Sequence, residues 1–173
     1  NSFTIPRISQ LTQKTNQFNM TIKRYLDEDI RAFVSSKDFL VFSVDVSDKF
    51  GSNGIVGPVI IEKKIGKWKI DSFLLSCRVI GRRIEEAMLA YIFESAKAEG
   101  ISFVIGEFVP TEKNIPAKNF FSDNGFEEIS ISTALEMWEY DVSKDYVYPD
   151  CMTVIKENCD EEIKEDIIVS SRS

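Results

Sequence analysis

The sequence predicts a mixed α/β domain whose sheet passes from antiparallel to parallel pairing partway along the chain. Three observations carry this reading. Strand-like runs at 38–46, 55–63 and 67–76 follow one another with only turn residues between them. The clearest helical periodicity comes next, with Ile84, Ala87, Met88, Tyr91, Ile92 and Ala96 on one face. The run 101–108 then reads as a buried strand. A meander feeding a strand–helix–strand unit makes a mixed sheet. The length of 173 residues suits one domain with a full core.

The chain opens on Asn, not Met, and Pro6 leads into Ile8, Leu11, Thr15 and Phe18, spaced like one face of a short helix. Residues 1–19 therefore read as a helical lead-in from a preceding domain of a longer polypeptide. Residues 20–155 read as the domain proper, and 156–173 as a disordered acidic tail or linker. Met20–Tyr25 looks like a strand, and Asp27 is placed to cap the helix after it. Asn53-Gly54 and Gly66 supply the turns of the meander. Gly81 precedes a helix expected from about Arg82, and Gly100 stops it. A shorter helix is expected from about Pro116 to Gly125, followed by one broken or two final strands.

Composition excludes several chemistries. The chain has no histidine, which removes Ser-His and Cys-His dyads, His-ligated zinc and imidazole bases together. Cys77, Cys151 and Cys159 have no metal or disulfide spacing, so reduced thiols and a cytoplasmic setting are expected. The net charge of −7, of which the tail from Lys156 holds six acidic against three basic residues, argues against nucleic acid. No apolar run is long enough for a transmembrane helix.

One segment stands out. Ser76 to Arg82 leave a strand and lead into the long helix. Free N–H groups and the dipole of a helix's first turn attract anions, and Gly81 lets a ligand approach the backbone closely. Arg78, Arg82 and Arg83 lie within six residues, and guanidinium suits phosphate. Two readings stand: a diphosphate cradle, or arginines paired with Glu85, Glu86 or other carboxylates.

Arg78-Val79-Ile80-Gly81-Arg82-Arg83 is similar to the Q/R-x-x-G-x-G/A acyl-CoA motif of the GNAT superfamily. More narrowly, the chain resembles the C-terminal domain of FkbH-like proteins. Five blocks carry this: Leu11–Asn19, Phe50–Gly57, Phe73–Arg82, Pro110–Asn114 and Phe120–Phe126. The resemblance implies the GNAT acyl-CoA N-acyltransferase fold. It also implies coenzyme A or carrier-protein phosphopantetheine as cofactor, an acyl carrier protein as partner and no metal. A HAD-type domain would precede this one in the parent polypeptide, in a system that loads glyceryl units for polyketide extension. The nearest string to the HAD nucleophile loop, Asp45–Asp48, has the wrong spacing.

By the same resemblance, backbone N–H groups of Phe73, Leu74 and Leu75 face the thioester carbonyl, and Asn114 ties the cofactor to the last helix. Asn114 has a second reading as a turn residue. Arg83 departs from the motif's final small residue, and Phe121 stands where GNAT enzymes often carry a tyrosine that protonates the leaving thiolate. Candidate bases are Asp71 and Glu107, each also readable as a solvated strand-end carboxylate. Cys77 beside the strip is either an acyl acceptor or a packed thiol. Trp68 and Trp138 read as core. A non-catalytic docking module for a carrier protein is the alternative to an acyltransferase.

Overall fold

The computed structural model describes residues 4–157 and 165–171. Among the described residues, four α-helices and eight strands follow the order α1 (Thr4–Lys14), α2 (Asp27–Ser35), β1 (Phe39–Asp48), β2 (Gly51–Lys64), β3 (Lys67–Phe73), α3 (Ile84–Ala98), β4 (Phe103–Phe108), α4 (Phe120–Asp123), β5 (Glu127–Ile131), β6 (Glu136–Asp141), β7 (Met152–Glu157) and β8 (Glu165–Ser171). They form one sheet in the order β5-β6-β4-β3-β2-β1-β8-β7. The predicted meander β1-β2-β3 pairs antiparallel, and β3 pairs parallel with β4.

Alternation along the meander sends apolar side chains to both faces. On one face Val41 and Ile60, paired across β1 and β2, pack against Ile5 and Ile8 of α1 and Ile30 and Val34 of α2. On the other, Phe42, Val44, Val59, Ile61 and Ile70 meet Ala87, Met88, Tyr91 and Ile92 of α3. Trp68 is buried there, and Trp138 is partly buried against the same cluster. Among the described residues no helix is long and apolar enough to cross a membrane.

Several expectations are corrected. Helix α1, lying in the expected lead-in, packs on one face of the sheet. Met20–Tyr25 is not a strand: Ile22 turns at φ 51°, and its N–H bonds to the Asn19 side chain instead of a ladder. Asp27 is the first residue of α2, and the capping carboxylate is Asp29, accepting the Leu26 N–H at 2.8 Å. The meander turns at Lys49-Phe50, while Gly54 lies within β2 near a register shift. Helix α3 starts at Ile84, after a 3-10 turn at Cys77–Val79. The tail expected to lack order contributes β8, which pairs parallel with β1 and antiparallel with β7. Its Ile167-Ile168-Val169 run has the β-branched character that strands favour. The tail positions 158–164 and 172–173 lie outside the described residues.

Candidate functional site

Strands β3 and β4 pair over Lys67–Ile70 and Phe103–Gly106 and then part. Beyond that point the space beside β3 is taken by residues 18–21. Asn19 bridges Leu74 antiparallel, Met20 N–H donates to Phe73 O (3.2 Å), and Leu75 N–H donates to Phe18 O (2.9 Å). On the β4 side Val109 N–H donates to Met20 O (2.8 Å). Asn19 and Met20 are fully buried. Rings of Phe18, Phe73 and Phe120 close over the segment, with centroids 4.9–6.1 Å apart.

Two side chains fix this strap. Asn114, fully buried, donates from Nδ2 to Asn19 O (3.1 Å) and Val109 O (2.8 Å), and its Oδ1 accepts from Thr111 N–H and Oγ1–H. Its hydrogen bonds hold protein backbone, which differs from the cofactor tie that the resemblance implies. Asp71 is buried and accepts from Tyr25 Oη (2.6 Å), Lys23 Nζ (2.7 Å) and Ser72 Oγ (3.1 Å). Burial first, and then the bond to Asp71, pushes the Tyr25 phenol far above its ordinary range. The solvated reading of Asp71 does not hold, since the carboxylate is buried and accepts three hydrogen bonds.

Glu107, on β4, is ion-paired with Lys69 at 3.1 Å, its side chain only 13% exposed. Burial works against the Lys69 ammonium, yet the bond to Glu107 and the neighbouring carboxylates hold its pKa above the usual value. Both candidate bases therefore sit in ion pairs. Leu74 N–H is also committed, to Pro58 O on the β2 side (3.4 Å). Ser76 N–H donates to Val56 O (2.6 Å). Phe121 is buried over Gly106, where an added Cβ would meet its ring at 2.6 Å.

The turn after the strip is built differently. Val79 N–H closes the 3-10 turn on Ser76 O (3.1 Å), and Val79 is buried while Ile80 is exposed. Gly81 takes φ 86° and a Cβ there would meet only open space, so glycine serves backbone conformation at this point. Arg83, the residue before α3, also has positive φ, at 63°. Arg83 C=O accepts from Glu86 N–H in the first turn of α3 (3.2 Å).

The arginines do not share one partner. Arg78 reaches Ser76 Oγ (3.5 Å) and Asn53 O (3.3 Å). Arg82 pairs with Asp48 at the end of β1 (3.0 Å), and Arg83 grips Glu86 of α3 through two bonds (2.6 and 3.2 Å). The pairing alternative thus holds for Arg82 and Arg83. Arg83 is half-exposed in a pair of the kind that contributes little to stability, so an anion can compete for its guanidinium, whereas the Arg82–Asp48 pair is partly buried. Sequence reasoning missed Arg7 of α1: burial and then the charge of Arg78 push its pKa down, placing it in that neighbourhood.

Two cavities flank the turn. One of about 260 Å³ is lined by Gly81, Arg82, Arg83, Ile84, Cys151 and Met152. The other, about 370 Å³, lies between the start of α3 and α4 and is lined by Glu85, Glu86 and Asp123 among others. Burial pushes the Glu85 carboxyl up, and its Oε2 has no hydrogen-bond partner among the described residues. The cationic cavity suits a phosphate; the carboxylate-lined one does not. Cys77 is exposed, not packed. Among the described residues no three metal-ligating side chains converge.

No protein-family model matches this sequence, and no curated protein matches it. Similarity appears in solved structures. The ribosomal-protein-S18-alanine N-acetyltransferase of Escherichia coli superposes with a TM-score of 0.60 at 10% identity, over 84% of this chain and 92% of that one. An acetyltransferase of the GNAT family from Staphylococcus aureus gives 0.45 at 17%, over 52% and 62%. The PaiA N-acetyltransferase of Thermoplasma acidophilum, solved with coenzyme A, gives 0.46 at 16%, over 51% of this chain and only 54% of that one. At these identities the likeness speaks for architecture, and the match to the E. coli enzyme spans most of both chains. The mixed sheet, the meander and the β3–α3–β4 unit of this chain have the GNAT acyl-CoA N-acyltransferase fold.

Proposed function

We propose that this domain is a GNAT-type acyltransferase module that receives coenzyme A, or the phosphopantetheine thioester of an acyl carrier protein, at the β3–α3 junction. The observation that carries this is the turn 78–83: three guanidinium groups, a glycine at φ 86° and a cationic cavity of about 260 Å³ at the start of a 15-residue helix. Arg82 and Arg83 take the phosphates by exchanging Asp48 and Glu86 for them. Catalysis in this reading is positional, holding thioester and acceptor together. Polarisation of the thioester carbonyl by the strip amides would add to it.

An FkbH-like setting, with a glyceryl-loaded carrier protein and a partner HAD-type domain, is the finer form of the proposal. It is supported by the meeting of all five resemblance blocks at the strip. Phe18 and Asn19 bond Leu75 and Asn114, Ser76 bonds Val56, and Phe120 packs on Phe18.

A second reading has its own observation. The strip amides of Leu74 and Leu75 are already bonded within the chain, and Phe121 has no proton to give. These favour a docking module that holds the carrier arm for a partner without turning it over. A melting screen with coenzyme A, acyl-CoAs and glyceryl-loaded carrier protein, read together with mass spectrometry of amine and hydroxyl acceptors, separates the two. Acyl transfer selects the enzyme; a melting shift without transfer selects docking; no shift with any of them rejects both.

A further inference from the structure

The strap satisfies two groups of the strip and one just past β4: Leu75 N–H and Val109 N–H donate, and Phe73 C=O accepts. Their partners are Phe18 O, Met20 N–H and Met20 O, one polar group from each of three successive peptide units, which is two acceptors and one donor. A pantetheine arm is itself a chain with two secondary amides, hence two carbonyl acceptors and two N–H donors. We propose that Phe18–Thr21 is an internal occupant of the pantetheine subsite, and that a thioester arm enters by displacing it. This inference rests on the reading of the β3–α3 junction as the thioester site.

The strap is built to be exchanged for such an arm. Asn19 and Met20 are buried, so leaving the splay empty would strand Leu75 and Val109 amides and the Asn114 amide group, each at a substantial desolvation penalty. An amide-bearing ligand restores those bonds, whereas a purely hydrocarbon one does not. Ile22, immediately after the strap, holds φ 51°, a conformation that β-branched residues disfavour. That strain is released when the strap leaves. The anchors holding it shut are the Asn114 bonds, the Asn19 Oδ1 bond to Ile22 N–H, the Phe18–Phe120 contact and the Lys23–Asp71 ion pair at the accessible end. The ligand therefore binds with an affinity reduced by the fraction of molecules in which the strap is out.

Native-state hydrogen exchange at the Met20, Leu75 and Val109 amides tests this, combined with calorimetric titration of coenzyme A. The proposal expects these three amides to exchange together through a local opening, well before the core amides of β2. Asn19→Ala, which removes the side-chain anchor while leaving the backbone bridge, should raise that opening and the coenzyme A affinity by the same factor, roughly tenfold. Lys23→Ala, at a partly exposed position, provides the same readout with a smaller factor should the buried substitution not fold. Saturating coenzyme A should abolish protection at Met20 and keep it at Leu75 and Val109. Exchange of all three only on global unfolding, with coenzyme A still binding, would overturn the displacement and leave the binding reading standing. Local opening with no coenzyme A binding to wild type or either variant would overturn both.

Discussion

The strip 73–75 and the turn 78–83 are consecutive in sequence and opposite in construction. In the strip, backbone groups are buried and bonded to residues 18, 20 and 58, and aromatic rings seal it. In the turn, backbone bonds stay local, the side chains are largely exposed, and two of the three guanidinium groups rest on partly buried carboxylates. Substitutions around the strip should therefore act on folding or on the opening of the strap, and substitutions in the turn directly on anion binding.

The sharpest way to break this contrast is at the strip's neighbour on β4. Gly106→Val would drive a side chain into the Phe121 ring, and more than about 3 kcal/mol of stability should be lost in denaturant melts. Asn114→Ala should come next, at about 2–3 kcal/mol, because it strips donors from Asn19 O and Val109 O in a buried site. A mild effect of either would mean that the closed strip is not integral to the fold.

In the turn the balance reverses. Arg82→Ala should weaken coenzyme A roughly tenfold in calorimetric titration, as befits a lost charged hydrogen bond, with little change in melting temperature. Glu85→Gln tests the carboxylate-lined side. The Glu85 carboxyl is raised by burial above its unfolded value, so its ionised form destabilises the native state above that raised pKa. The penalty fades as pH falls through the folded pKa and is absent below the unfolded one. The substitution should raise melting temperature at neutral pH and leave it unchanged at acidic pH. Smallest of all is Arg83→Gly: the exposed ion pair is lost, glycine accepts the φ of 63°, and the melting temperature should barely move.

Legibility in the sequence follows the same division. The meander, α3 and β4 were readable because their apolar periodicity is local and strong. The positive-φ glycine and the cluster of three arginines are legible too, from residue type alone. Glu86, the partner of Arg83, is legible three residues along the chain, but Asp48 and Asn53 are not, because they reach the turn only once β1 and β2 are folded. The strap was the hidden element. Met20–Tyr25 alternates like a strand, yet its bonds run to Phe73, Val109 and Asp71, fifty to ninety residues away, and Asn19 competes locally for the Ile22 N–H. In the tail, dense charge masked the short apolar run that makes β8.

Amide chemical-shift mapping during a coenzyme A titration tests the central claim most directly. The account predicts saturable shifts at Val79, Ile80, Gly81, Arg82 and Arg83, greatly diminished in Arg82→Ala. Shifts confined instead to the cavity of about 510 Å³ between α3 and residues 142–148, or none at any concentration, would contradict it.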